Sequence, residues 1–197
     1  MTSAESVAPT RREQLKAQRR AHLLEAGARL IADRGFLGMR LDDLGAAVGI
    51  SGPAVYRHFP NKEALLIELL VGVSQRLLDG GKAVVAAANS AEQALAGLVE
   101  HHLDFALGEP ELIRIQDRDL DNVPAPARRE IRRTQRQYVE IWVAVLRELH
   151  PELPEETARV QAHAVFGLIN STPHSASTAT GVRARPVLRR MALAALG

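Results

Sequence analysis

Apolar residues recur along this chain at intervals of three and four almost throughout, and no segment sustains an alternation of period two. That spacing predicts an all-α protein of about nine helices. A first helix is expected over 11–34, with Leu23, Gly27, Leu30 and Ile31 on its inner stripe and Gly35 as its stop. A second, over 41–48, sets Leu41, Leu44 and Val48 at i, i+3 and i+7. From Asn61, a good N-cap, a long helix carries Leu66, Leu69, Leu70, Val73, Leu77 and Val84 on one side, and the Gly80-Gly81 pair is expected to kink or end it. Further helices are expected over 91–107, 126–149, 155–171 and 183–196, with a short, charge-dense segment over 111–120 and the small-residue loop TPHSASTAT between the last two helices.

The stretch SGPAVYRHFPNKEAL, from Ser51 to Leu65, breaks the run of long helices. Pro53 suits a first helical turn, and Pro60 forces its predecessor out of the α region, so the helix between them spans no more than about seven residues. Ser51 can cap it and Gly49 can supply a left-handed turn before it. Leu44, Val48, Ile50, Val55 and Phe59 can share a small core. Two short helices set steeply around such a core describe a helix-turn-helix, whose second helix enters the major groove of DNA. Gly52, Pro53 and Ala54 let the backbone approach base edges, and Arg57 can grip a guanine with two hydrogen bonds. Tyr56 and His58 can donate to phosphates. Lys62 opposes the dipole of the helix it opens, an arrangement that a docked phosphate makes favourable. The plain alternative is a solvated lysine and a core-packed tyrosine.

The segment GFLGMRLDDLGAAVGISGPAVYRHFPNKEALL, Gly35 to Leu66, resembles the DNA-binding region of the TetR family of bacterial transcriptional regulators, most specifically in Tyr56-x-x-Phe59-x-x-Lys62-x-x-Leu65. The resemblance covers the first third of the chain; the rest agrees in the number and length of helices. It implies a helix-turn-helix domain over 11–60, a helical ligand-binding and dimerisation domain over 61–197, and a flexible segment over 1–10. The family's DNA-contacting positions fall on Arg40, Ser51, Gly52, Ala54, Tyr56, Arg57, His58 and Lys62. The family commonly places a capping Thr where this chain has Arg40, so the cap is lost. Gly45 stands where Ala is usual and weakens the second helix by up to about 1 kcal/mol.

The same resemblance implies a homodimeric repressor on a palindromic operator in double-stranded DNA, released by a small apolar or amphipathic effector, with the last two long helices packing on their copies in a partner. Ala164, Gly167 and Leu168, with Val187, Leu188, Met191, Ala192 and Leu196, offer the small and apolar surface such packing uses. For the effector, His102 and Phe105, Tyr138 and Trp142, and Phe166 and Asn170 can furnish an apolar wall with polar points. Each also fits an ordinary core. Arg128, Arg129, Arg132, Arg133 and Arg136 form a solvated cationic face or a site for an anionic group.

Charge sharpens the division. Residues 1–62 hold ten Lys or Arg against six Asp or Glu, and the remainder carries a slight excess of acids, although the whole chain is only +2. The basic run RREQLKAQRR is either an arm that tracks the DNA backbone or a solvated helix start. The 197 residues contain no cysteine, which excludes disulfides, thiolate metal sites and a thiol nucleophile and suits a reducing cytoplasm. No apolar run is long enough for a membrane helix, and Met1 to Thr10 lacks the apolar stretch of a signal peptide. No phosphate loop, dinucleotide fingerprint, HExxH or nucleophile elbow occurs, so neither a cofactor nor catalysis is expected. The adjacent His101 and His102 point about 100° apart on a helix, and no fourth ligand joins them and Asp104, so no metal site is predicted. A DNA-binding module without an effector, and an α-helical enzyme, stand as the alternative readings.

Overall fold

A computed structural model describes residues 10–175 and 181–197, and among these every regular element is helical. The chain divides into two compact units, residues 1–65 and 66–197. The expectation for the segment 1–10 lies outside the described residues, except for Thr10.

The first unit is built from α1 (Arg11–Gly38), α2 (Leu41–Val48), α3 (Gly52–Tyr56) and the start of α4 (Lys62–Ala87). Thr10 and Glu13 cap α1 reciprocally: the Thr10 hydroxyl accepts from the Glu13 N–H at 3.4 Å, and the Glu13 carboxylate accepts from the Thr10 N–H at 2.8 Å. The helix breaks at Gly35, whose φ of 77° is open to glycine at little cost, and resumes for a short turn to Gly38. Gly49, at φ 71°, ends α2 in the left-handed conformation. Asn61 caps α4, its side-chain oxygen accepting from the Ala64 N–H at 2.8 Å. Leu23, Ile31, Leu44, Val55, Phe59 and Leu65 are fully enclosed and form the small core around which the three short segments turn. Val48 and Ile50 are half-buried at its edge.

The second unit comprises the remainder of α4, then α5 (Ala91–Gly108), α6 (Pro110–Asp119), a 3-10 turn (Leu120–Asn122), α7 (Ala125–Leu149), α8 (Glu155–Asn170), the single turn α9 (Thr172–Ser175) and α10 (Gly181–Leu196). The expected loop after α8 therefore begins as helix. Pairs α7–α8, α5–α7, α8–α10 and α5–α10 make the main packing contacts. Trp142, Leu98, Val99, Leu103, Leu146 and Ile169 lie at the centre of their core. Arg185 bridges Glu100 at 2.9 Å and Asp104 at 2.6 Å, and Arg189 joins Glu100 at 2.6 Å, tying α10 to α5 at the surface.

Gly80 and Gly81 do not end α4, contrary to expectation. A Cβ on Gly80 would lie 2.2 Å from the His101 ring, and one on Gly81 2.7 Å from the Tyr138 ring, so both glycines serve close approach by α5 and α7. Packing gained across those contacts offsets the weak helix propensity of the pair.

Candidate functional site

Within the first unit, α3 is a five-residue helix with Pro53 in its first turn. Ser51 occupies the N-cap position without a side-chain cap bond; its carbonyl accepts instead from Ala54 and Val55 at 2.9 and 3.2 Å. The inner face is anchored by Val55, while Ser51, Pro53, Tyr56 and Arg57 are exposed and Gly52, Ala54 and His58 are half-buried. Arg40 is exposed at the start of α2 and supplies no side-chain cap, as its chemistry requires, but its N–H donates to the Asp43 carboxylate at 3.3 Å. Asp43 also accepts from Arg34 at 2.8 Å. Arg40, Tyr56, Asn61 and Lys62 converge on one shallow depression of about 280 Å³. His58 borders a second depression, along α1, that Arg12, Lys16 and Arg19 make basic. Burial, and then the fields of Arg20, Lys16, Arg19 and Arg57, hold the His58 imidazole below the usual histidine range.

Lys62, expected at a phosphate, is turned inward. Its ammonium donates to the carbonyls of Phe36, Leu37 and Met39 at 3.0, 3.2 and 3.4 Å, and sits 4.7 Å above the Phe36 ring. The three N–H groups of the ammonium are thereby turned to the carboxyl end of α1 and the residue after it. The side chain clamps α1 to α4, and the dipole of α1 favours the cation there.

The second unit holds a cavity of about 240 Å³ between α4, α5, α6, α7 and α8. One wall is a stack of rings: Tyr138 and Phe166 lie 5.7 Å apart at 9°, and His102 and Phe166 4.7 Å apart at 28°. Trp142 meets Phe166 edge-on at 5.0 Å from behind. His102 is enclosed: its Nε2 hydrogen donates to Asn170 Oδ1 at 3.1 Å, which leaves Nδ1 to accept from the Tyr138 hydroxyl at 3.4 Å. Burial pushes its pKa down to about 4, so the ring is neutral. The same burial raises the Tyr138 phenol above its ordinary value. Gln135, one turn before Tyr138 on α7, also lines the cavity, and its amide nitrogen is buried with no partner.

Two family models match the chain: bacterial regulatory proteins of the tetR family over residues 23–69, and the tetracyclin repressor-like C-terminal domain over 88–174. The chain belongs to the TetR family. The HTH-type transcriptional repressor KstR2 of Rhodococcus jostii (strain RHA1) is 26% identical over 132 residues, 66% of this chain and 65% of that protein. The HTH-type transcriptional activator FasR of Mycolicibacterium smegmatis (strain ATCC 700084 / mc(2)155) is 30% identical over 45% of this chain and 40% of its own. The chain thus spans less than two-thirds of the length of these relatives. Among solved structures, a TetR-family transcriptional regulator from Bordetella parapertussis 12822 superposes with a TM-score of 0.82 at 22% identity, over 90% of this chain and 94% of that one.

In this TetR-family chain the structure gathers five of the six residues expected at a pocket, namely His102, Phe105, Tyr138, Phe166 and Asn170, around the cavity. Trp142 is instead fully buried behind the wall. Ser74, Gln116, Asp117, Gln135 and His163 also line the cavity and were not singled out by sequence. Gln135 was within reach, since it precedes Tyr138 by three and Trp142 by seven on one helical stripe. His101 faces away from His102, its Nε2 bonding to the Leu77 carbonyl at 3.1 Å. On α10, Ala192 and Leu196 are buried in their own unit's core rather than on an outer face, whereas Val187 and Met191 stay about half exposed. Val160, Ala164 and Gly167 form the exposed stripe of α8.

Proposed function

We propose that the protein is a homodimeric, sequence-specific transcriptional regulator, a repressor that leaves a palindromic operator when a small molecule occupies the cavity of its second unit. The observation that carries this reading is the first unit itself: a five-residue helix with Pro53 in its first turn and Pro60 soon after it, seated by Val55 and Phe59, with Tyr56 and Arg57 exposed. Arg57 reads base edges, and small Gly52 and Ala54 admit the backbone to the groove. Ser51, Tyr56, His58 and Arg40 hold phosphates, assisted by the basic face of α1. Lys62 acts at one remove, by fixing the turn between α1 and α2. The repressor KstR2 among the relatives supports repression, and the activator FasR makes reporter expression the measurement that decides the direction.

Effector release follows from differential affinity: a ligand that binds the cavity better in a conformation unsuited to the operator shifts the population away from DNA. The test is a gel-shift titration on the intergenic DNA beside the protein's own gene with random competitor. Specific binding is expected; equal affinity for random DNA defeats the reading. Specific binding that raises expression of a reporter instead of lowering it assigns an activator.

A further inference from the structure

The cavity also constrains what can enter it. Among the described residues, its lining contains no lysine or arginine, and its one carboxylate is Asp117, exposed at the edge. An anionic group placed inside would meet no lysine or arginine, and the second histidine of the lining, His163, is exposed to solvent, so the cost of stripping the anion's water would go largely unreturned. Neither can His102 supply a cation, because burial keeps it neutral and both its ring nitrogens are already engaged by Asn170 and Tyr138.

What the lining does supply is a flat aromatic wall and one unmet polar demand. The stacked rings of His102, Tyr138 and Phe166 favour a planar occupant that extends the stack. The amide nitrogen of Gln135 is buried beside the cavity without a partner, and a turn of that side chain brings it to an acceptor bound there, which relieves a costly unpaired donor. A volume of about 240 Å³ exceeds the roughly 150 Å³ of a dry cavity that holds benzene, so it admits one substituted ring or a small fused pair. Longer chains with charged ends do not fit these features.

We infer that the effector is an uncharged, planar ring compound bearing a carbonyl-type hydrogen-bond acceptor, which stacks on the Tyr138–Phe166 wall and accepts from Gln135. This rests on the reading of the cavity as the effector site. Trp142 is the only tryptophan and touches the wall edge-on, so its emission reports occupancy directly.

The experiment titrates the full-length protein at pH 8 with 1-indanone, indane-5-carboxamide, indane-5-carboxylate and plain indane, following Trp142 fluorescence. The ketone or the carboxamide is expected to bind at least tenfold more tightly than the carboxylate. Gln135→Leu should weaken the ketone and carboxamide about tenfold while leaving indane unchanged, a control that also shows the variant to be folded. A carboxylate that binds as tightly as its neutral counterparts overturns the inference and leaves the cavity as an effector site for acids. Failure of all four compounds to perturb Trp142 overturns it together with the effector reading of the cavity. Operator gel shifts on the same samples show independently whether the DNA-binding reading stands.

Discussion

His58 shows how one residue can link DNA binding to pH. Its imidazole is held below its ordinary pKa by burial and by four nearby cations, Arg20, Lys16, Arg19 and Arg57. A phosphate beside it would cancel part of that field and raise its pKa, so binding DNA should take up a proton. Operator affinity is therefore expected to rise about two- to tenfold as pH falls from roughly 7.5 to 6, because each bound proton contributes at most one decade per pH unit. Fluorescence anisotropy across that range tests it, with His58→Gln flattening the profile; an unchanged slope in the variant removes His58 from the phosphate set. Gly45 makes a second case. Helix propensity alone says that Gly45→Ala should stabilise by up to about 1 kcal/mol. In the structure the new Cβ would lie 2.9 Å from the Ile50 carbonyl oxygen, which is backbone, and 3.2 Å from Val55 Cγ2. That oxygen belongs to a turn fixed by the Ile50 N–H donating to the Gly45 carbonyl at 2.9 Å, so it cannot retreat freely. The substitution is expected to cost about 1–2 kcal/mol in urea denaturation; a higher midpoint would mean that the turn relaxes.

Among elements, α3 and its flanking turns could be read from sequence because their determinants are local. Proline fixes φ and bars particular neighbours, and glycine alone enters the left-handed region cheaply, so the bounds of α2 and α3 follow from Gly49, Pro53 and Pro60. Long-range partners are what the sequence hides. Nothing near Gly80 and Gly81 announces that His101 and Tyr138 will press against them, and nothing near Lys62 announces that the end of α1 will present three carbonyls. The pocket was partly legible because its wall repeats at helical spacing on α5, α7 and α8. Its polar members Gln116 and Asp117 lie on a short, charge-dense helix where the same spacing carries no apolar signal. The clamp role of Lys62 has its own test. Lys62→Met keeps an apolar stem over Phe36 but removes the donors, leaving carbonyls at the end of α1 without that partner. A loss of about 1–3 kcal/mol is expected in urea denaturation. The slope of log affinity against log salt should stay as in the parent, whereas a phosphate contact at Lys62 would lower it by about one.

At the scale of the whole molecule, an operator with two half-sites requires two copies of the first unit, and the surface that pairs them must survive the burial of α8 and α10 in their own core. Ala192 and Leu196 are used internally, so the available apolar area is what remains outside: Val160 at 67% exposure, Val187 at 45% and Met191 at 46%, with Ala164 and Gly167 between them on α8. Small residues beside exposed apolar ones suit close helix packing against a second copy, and a charge buried without a partner at such an interface is costly. Val160→Glu with Met191→Glu is therefore expected to yield a monomer whose helical circular dichroism is unchanged, because both side chains already reach solvent in the single chain. Sedimentation should show the halved mass. Operator affinity should fall at least a hundredfold, since one half-site supplies only half the phosphate contacts, and the salt slope should drop by about half. A double variant that stays dimeric would place the interface elsewhere; one that becomes monomeric yet keeps its affinity would mean that a single helix-turn-helix suffices for recognition, leaving the palindrome without a physical basis.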